Sequence, residues 1–181
     1  GYDFINEKMC NLKTGEPLEF EIIINSANGN SFTRVLLPFI ENLRKIGIKA
    51  TTRVLEINTY KNKLDNFDFD IIVGGFGGLY MPGSEQKDLW GSQSADIRGS
   101  NNIIGIKNPA VDELVQKLIE TEDNELYTAY VRALDRVLLF NHYVIFNWYS
   151  DSDRIAYWDK FSFPENNAGI GVDINTWWLK D

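Results

Sequence analysis

The fold is decided by residues 67–83, whose sequence is FDFDIIVGGFGGLYMPG. Residues 69–73 form a short, almost wholly apolar run, which is typical of a strand at the centre of a parallel sheet with both faces covered. The run leads into a glycine-rich loop, residues 74–83, and open α/β sheets usually bind ligands at the carboxyl ends of their strands. The stretch therefore predicts a central strand followed by a ligand-facing loop.

Strands and helices alternate on both sides of this stretch. The predicted strands are residues 18–24, 48–57, 69–73, 143–149 and 154–158. The predicted helices are residues 32–46 with Ser31 as N-cap, 58–67, 108–119 with Asn108 as N-cap, and a longer one after Asp123. Residues 84–107 are predicted to be mostly irregular. The alternation indicates an α/β fold whose mixed, mostly parallel sheet is flanked by helices.

The composition excludes several classes of function. The chain has 181 residues, of which 44% are hydrophobic and 24% charged, and these values fit one ordinary globular domain. A net charge of −8 argues against nucleic acid or an anionic membrane as a partner. Because Cys10 is the single cysteine and His142 the single histidine, the sequence offers neither a disulfide nor a His/Cys set for a metal.

Enzymatic interpretations of the sequence are weak. The glycine loop has Tyr80 where a dinucleotide-binding fingerprint needs its third glycine, and no serine lies in a nucleophile elbow. Asp68 and Asp70 lie two residues apart and could supply the carboxylate pair of a carbohydrate-active enzyme, or join loop aromatics in a sugar-binding module. They stand at the entry end of the predicted strand, opposite the expected ligand edge, so a structural role is favoured.

Aromatic residues are the unusual feature, at 13% of the chain. Several lie in predicted loops. Four aromatic residues with polar tips could hold apolar surface while hydrogen-bonding to amides or hydroxyls. They are Tyr80, Trp90, Trp148 and Tyr149. Arg98 can hold a carboxylate, and the amides of Asn101 and Asn102 can pair with peptide groups. Core packing is the alternative for the aromatics, and an idle surface position is the alternative for Arg98.

Several segments together carry a family resemblance. They are residues 67–75, 90–92, 108–115, 133–138, Trp148 with Tyr149, and 154–158. In order and spacing they resemble the C-terminal lobe of the oligopeptide-binding, or family 5, extracellular solute-binding proteins of ABC importers. The arrangement looks most similar to the branch associated with microcin C and related peptide-like cargo.

The resemblance implies a periplasmic-binding-protein type II lobe that is not an enzyme. Residues 1–160 would be the C-terminal ligand-binding lobe, and residues 161–181 a return segment that crosses to an N-terminal lobe outside this chain. The implied protein is a periplasmic, or membrane-associated extracytoplasmic, monomer without a cofactor. It would capture oligopeptides or peptide-like solutes between two lobes and deliver them to a membrane permease.

The resemblance implies that the glycine loop and Trp148 with Tyr149 face the ligand. The candidate site combines them with the other polar-tipped aromatics, Arg98 and the two amides chosen above for their chemistry. Its residues are Gly75, Phe76, Gly77, Tyr80, Trp90, Arg98, Asn101, Asn102, Trp148 and Tyr149. Many peptide-binding relatives carry an aspartate in the loop that matches residues 77–80, where it pairs with the amino terminus of the cargo. This sequence has no aspartate there. The departure favours modified, blocked or larger peptide-like ligands over simple free peptides.

Overall fold

The computed structural model describes residues 1–76, 81–147, 154–164 and 172–180. The chain divides into two units, Gly1–Tyr143 and Val144–Asp181. In the first unit the strands are β1 (Tyr2–Ile5), β2 (Lys8–Asn11), β3 (Glu19–Asn25), β4 (Lys49–Leu55) and β5 (Ile71–Ile72). Its helices are α1 (Gly29–Lys45), α2 (Ile57–Asp65), α3 (Glu85–Trp90), α4 (Pro109–Glu120) and α5 (Asn124–Phe140). The second unit holds β6 (Phe161–Ser162) and β7 (Trp178–Leu179).

A parallel sheet with the order β4-β3-β5 organises the first unit. In β3, Ile22, Ile23 and Ile24 are almost completely buried, so both faces of this strand are covered. The prediction that residues 69–73 form the central strand is wrong for the described residues. β5 is a half-buried edge strand, and the apolar run of β3 occupies the centre.

Helices cover opposite faces of the sheet. Ile22 and Ile24 pack in one core cluster with Leu36 of α1, whereas Ile23 points to the face where Phe67 follows α2. This placement agrees with two right-handed crossovers that run in opposite directions across the sheet, the first from β3 to β4 and the second from β4 back over β3 to β5. The fold-class prediction of a mostly parallel sheet flanked by helices is confirmed.

Helix α1 begins earlier than predicted. Its N-cap is Asn28, which is also the last residue of the short 3-10 turn Ser26–Asn28. Ser31 therefore lies inside the helix. The helix continues through Pro38 and ends before Gly47, which has a φ of +76°. The loop after α1 supports a hairpin that the sequence pattern did not predict: the N–H of Met9 in β2 donates to the carbonyl of Gly47 at 2.8 Å.

A helical layer follows the sheet. α4 and α5 pack around the buried side chains Val111, Val115, Leu118 and Leu134, as the predicted helical pair requires. The Asn108 side chain caps α4 by accepting from the N–H of Ala110 at 3.0 Å, which confirms the predicted helix start. Residues 85–90 were expected to be irregular but form α3.

The second unit is small and rich in aromatic side chains. β6 and β7 pair in an antiparallel ladder, and the rings of Tyr157, Phe163 and Trp177 lie beside it with centroids 5.2–5.5 Å apart. The strands predicted over residues 143–149 and 154–158 are wrong for their described parts, 143–147 and 154–158, which have no regular structure. Among the helices of the described residues, none combines the length and the apolar character needed to span a bilayer.

Candidate functional site

The candidate site lies where the strand order of the sheet reverses. β3 connects to β4 on one side, and β4 then crosses back to β5 on the other. In open α/β sheets this reversal opens a crevice at the carboxyl ends of the two diverging strands. The chain leaves these ends through the turn Ser26–Asn28 after β3 and through residues 73–76 after β5.

Exposed main chain follows β5. Gly74, Gly75 and Phe76 are all exposed, and a Cβ atom built on Gly75 would meet no atom within 4 Å. Neither glycine has a positive φ, so the turn itself does not demand glycine. The absence of side chains therefore leaves the peptide groups of Gly74 and Gly75 open to an approaching molecule.

Two aromatic rings meet beside this main chain. The Phe76 and Trp90 rings have centroids 4.8 Å apart and planes tilted by 57°. Trp90 ends α3 and packs against the α4–α5 core, while 41% of Phe76 stays exposed. The pair therefore presents a ring to solvent on a support that reaches the hydrophobic core. Phe76 and Trp90 were both predicted site residues, and the structure brings them together.

The polar tip of Trp90 is already used inside the protein. Its indole N–H donates to the Oε1 atom of Gln86 at 2.7 Å, and Gln86 is only 8% exposed. The expectation that Trp90 offers a hydrogen bond to a ligand is therefore corrected: this residue contributes ring surface.

The far end of the glycine loop is held by three hydrogen-bond contacts. The N–H of Gly83 donates to both carboxylate oxygens of Glu85, at 2.9 and 3.0 Å, and the Tyr127 hydroxyl donates to the Pro82 carbonyl at 2.7 Å. The Gly83 hydrogen bond, followed by one from the Gln86 side chain, holds the pKa of the Glu85 carboxyl below its usual value. A pocket of about 370 Å³ adjoins this anchored segment, between Met81 and the α4–α5 turn.

Arg98 lies away from this edge of the sheet. Its guanidinium donates to the side-chain oxygens of Asn66 at 3.0 Å and Asn62 at 3.2 Å, at the carboxyl end of α2. A helix that crosses between parallel strands runs opposite to them, so the carboxyl end of α2 faces the amino edge of the sheet. The structure therefore does not bring Arg98 to the glycine loop, and its role as a carboxylate partner stays a prediction.

The two predicted asparagines differ in their surroundings. Asn101 is exposed, whereas Asn102 is completely buried. The Asn102 amide donates to the carbonyls of Gly91 and Ile106, both at 3.0 Å, and its oxygen accepts from the N–H of Ile106 at 2.9 Å. Both donors serve the loop itself, so the expectation that Asn102 pairs with ligand is corrected to a structural role.

Asp68 and Asp70 are engaged at the amino edge of the sheet. Lys63 pairs with Asp68 at 2.6 Å, and the Asp70 carboxylate accepts from the N–H of Glu21 at 2.9 Å. Both line a pocket of about 300 Å³ on that edge. The structural interpretation of this pair is favoured, because each carboxylate already has a partner.

Four predicted site residues lie outside the described part of the chain: Gly77, Tyr80, Trp148 and Tyr149. Neither the turn Ser26–Asn28, which shares the edge with Gly75, nor the anchors Gln86, Glu85 and Tyr127 were predicted from the sequence. The turn could have been found only from the strand order, since its residues carry no motif.

The fold places the chain in a class. The fold is the α/β fold of periplasmic binding proteins of the oligopeptide-binding type. The chain superposes on the oligopeptide-binding protein AppA of Bacillus subtilis, which was solved in complex with a nonapeptide, with a TM-score of 0.64. The identity is 21%, and the match covers 79% of this chain and 28% of AppA.

Two curated proteins are similar in sequence. The chain is 44% identical to "Probable peptide-binding protein YejA" of Agrobacterium fabrum, over 98% of this chain and 29% of the relative. It is 32% identical to "Peptidoglycan-binding protein YepA" of the same organism, over 98% of this chain and 28% of the relative. The chain thus spans less than a third of the length of either protein. No family model matches it.

Proposed function

We propose that this chain is a ligand-binding lobe of the substrate-binding component of a peptide-type ABC importer. The component captures oligopeptides or peptide-like solutes outside the cytoplasm, in the periplasm, and delivers them to a membrane permease without catalysing a reaction. The similarity to YejA over nearly the whole chain and the shared fold with AppA support the proposal. The protein acts as a monomer, with residues 1–160 as the C-terminal lobe and 161–181 as the return segment to a second lobe.

The observation that carries the proposal is the exposed main chain of Gly74 and Gly75 at the carboxyl edge of β5, beside the Phe76 ring. Peptide groups of the cargo can exchange hydrogen bonds with this backbone whatever their side chains are. The Phe76 ring, held from behind by Trp90, covers an apolar part of the cargo and excludes water from it. This combination suits a protein that must hold varied peptides.

The proposed cargo is a peptide whose amino terminus is blocked, modified or distant from this loop. The sequence of residues 77–80 has no carboxylate to pair with a free amino terminus. One relative is named for binding peptidoglycan. From the order and spacing of the segments that carry the family resemblance, we also propose that the chain is nearest the microcin C branch of these importers.

Mass spectrometry of the protein as its host makes it, purified without unfolding, tests the proposal. A co-purifying peptide or peptide-like molecule is the expected result. Calorimetry with that molecule should then show that Phe76→Ala weakens binding by about tenfold, which is the loss expected when a half-buried aromatic contact is removed. The matched control is Phe140→Ala, because Phe140 is 83% exposed at the end of α5, and it should bind unchanged. A sugar or metal complex as the only co-purifying ligand, with no affinity for peptides, would contradict the proposal.

A further inference from the structure

Both ends of the glycine loop are attached to the short helix α3. At the near end, Phe76 rests on Trp90, the last residue of α3. At the far end, the N–H of Gly83 binds the carboxylate of Glu85, the first residue of α3. The two described segments of the loop, residues 74–76 and 81–83, therefore both contact α3.

Gln86 joins these two attachments. Its Oε1 atom accepts from the Trp90 indole at 2.7 Å, and its Nε2 atom donates to Glu85 at 3.1 Å. Since Gln86 is only 8% exposed, water does not readily replace either partner. The orientation of the Trp90 ring, and with it the support of Phe76, is set by a residue that itself lies away from solvent.

We infer that Gln86 is a positioning residue for ligand binding: it fixes the Trp90 ring under Phe76 and couples this pair to the Gly83 anchor. The inference rests on the proposed function. Gln86 also accepts the hydrogen bond of the indole N–H, the only polar group of the Trp90 side chain. The Phe76–Trp90 pair therefore acts as an apolar contact and prefers an apolar cargo side chain. Loss of Gln86 frees the indole N–H and lets the ring turn, which weakens that preference.

The test uses two N-acetylated, C-amidated tetrapeptides, Ala-Phe-Ala-Ala and Ala-Ser-Ala-Ala, titrated by calorimetry into the protein in the length its host makes. We expect the wild type to prefer the phenylalanine peptide. Gln86→Leu, which keeps the volume and removes both hydrogen bonds, should reduce the ratio of the two affinities by about fivefold, as loss of one buried hydrogen bond predicts. Gln93→Leu is the control, because Gln93 is exposed in the loop after α3.

A double-mutant cycle separates positioning from general destabilisation. Trp90→Phe removes the indole N–H, so adding Gln86→Leu to it should change the affinity ratio no further. A Gln86→Leu protein that melts earlier but keeps the wild-type ratio overturns the inference, and so does an additive effect in the cycle. A wild type that binds both peptides equally contradicts the inference alone, whereas a wild type that binds neither contradicts the proposed function as well.

Discussion

The carboxylate of Asp112 holds Ser92 by two atoms at once. One oxygen accepts from the backbone N–H of Ser92 at 2.8 Å and the other from its hydroxyl at 2.5 Å. Asp112 lies in the first turn of α4, and Ser92 opens the loop that follows α3. This one side chain therefore ties α3 and its loop to the helical layer beneath.

Asp112→Ala should lower the free energy of unfolding by about 2–3 kcal/mol. Two charge-assisted hydrogen bonds are lost, and the N–H and the hydroxyl of half-buried Ser92 lose their acceptor. Urea unfolding followed by circular dichroism measures the change. Glu113→Ala is the matched control: Glu113 is the next residue of the same helix and pairs with Lys117 at the surface. Equal effects of the two substitutions would show that the Ser92 contact contributes nothing.

Asn102→Ala should be among the more damaging single changes in the loop of residues 91–107. It removes three hydrogen bonds and leaves the carbonyls of Gly91 and Ile106 buried without that donor, which costs about 3 kcal/mol of stability. Asn101→Ala, at the exposed neighbouring position, should leave the urea midpoint unchanged. If the Asn102 variant unfolds at the wild-type midpoint, the structural role assigned to this amide is wrong.

Gly47→Ala tests the close contact between Gly47 and the β1–β2 hairpin. A Cβ atom at Gly47 would lie 2.7 Å from the Met9 nitrogen and 2.8 Å from the Lys8 carbonyl carbon, and φ is +76°. Steric overlap and left-handed strain together should cost about 2–4 kcal/mol in thermal or urea unfolding. Gly15→Ala isolates the strain, since Gly15 has a φ of +74° with open space around it, and should cost only about 1–2 kcal/mol.

The Gly83 anchor should weaken in acid. Because the folded state lowers the pKa of Glu85, its contribution is complete above the usual carboxyl value of about 4.3 and is lost as the pH falls through the lowered pKa. Hydrogen exchange of the Gly83 amide, corrected for the intrinsic rate, should show protection at pH 6 that is lost progressively in acid, below the usual carboxyl value. Glu85→Gln should protect this amide less at pH 6 and remove the pH dependence. Protection that persists unchanged in acid would argue against the carboxylate as the anchor.

The sequence predicted those elements whose periodicity is long. α1, α4, α5 and the strands β3 and β4 were found within a few residues, because apolar stripes of 7 to 17 residues leave little ambiguity. The β1–β2 hairpin was missed because its turn uses Asn6 and Glu7, both with positive φ. A glycine normally marks such a turn, and glutamate rarely occupies it.

The errors in the predicted strands and in the predicted site residues have the same physical cause. In both cases the structure that a residue adopts depends on which other parts of the fold it contacts. Residues 143–147 and 154–158 have strand composition, but β-propensity is expressed only where a neighbouring strand and a covered face exist. The six residues of α3 are too few to show a helical repeat of apolar residues. The hydrogen bond between Gln86 and Trp90, one helical turn apart, could therefore not be predicted from the sequence. Asn102 and Arg98 were chosen for their chemistry, and only the fold decides which partners they meet.

The thiol of Cys10 offers a natural probe of local opening at the β1–β2 hairpin. The single thiol is buried in β2, within the hairpin that rests on Gly47, so a thiol reagent can reach it only when that hairpin lifts. The labelling rate in native buffer therefore reports on hairpin opening, without any engineered probe. Because the chain has no second thiol, the signal comes from this hairpin and is separate from events at the Phe76 edge of the sheet.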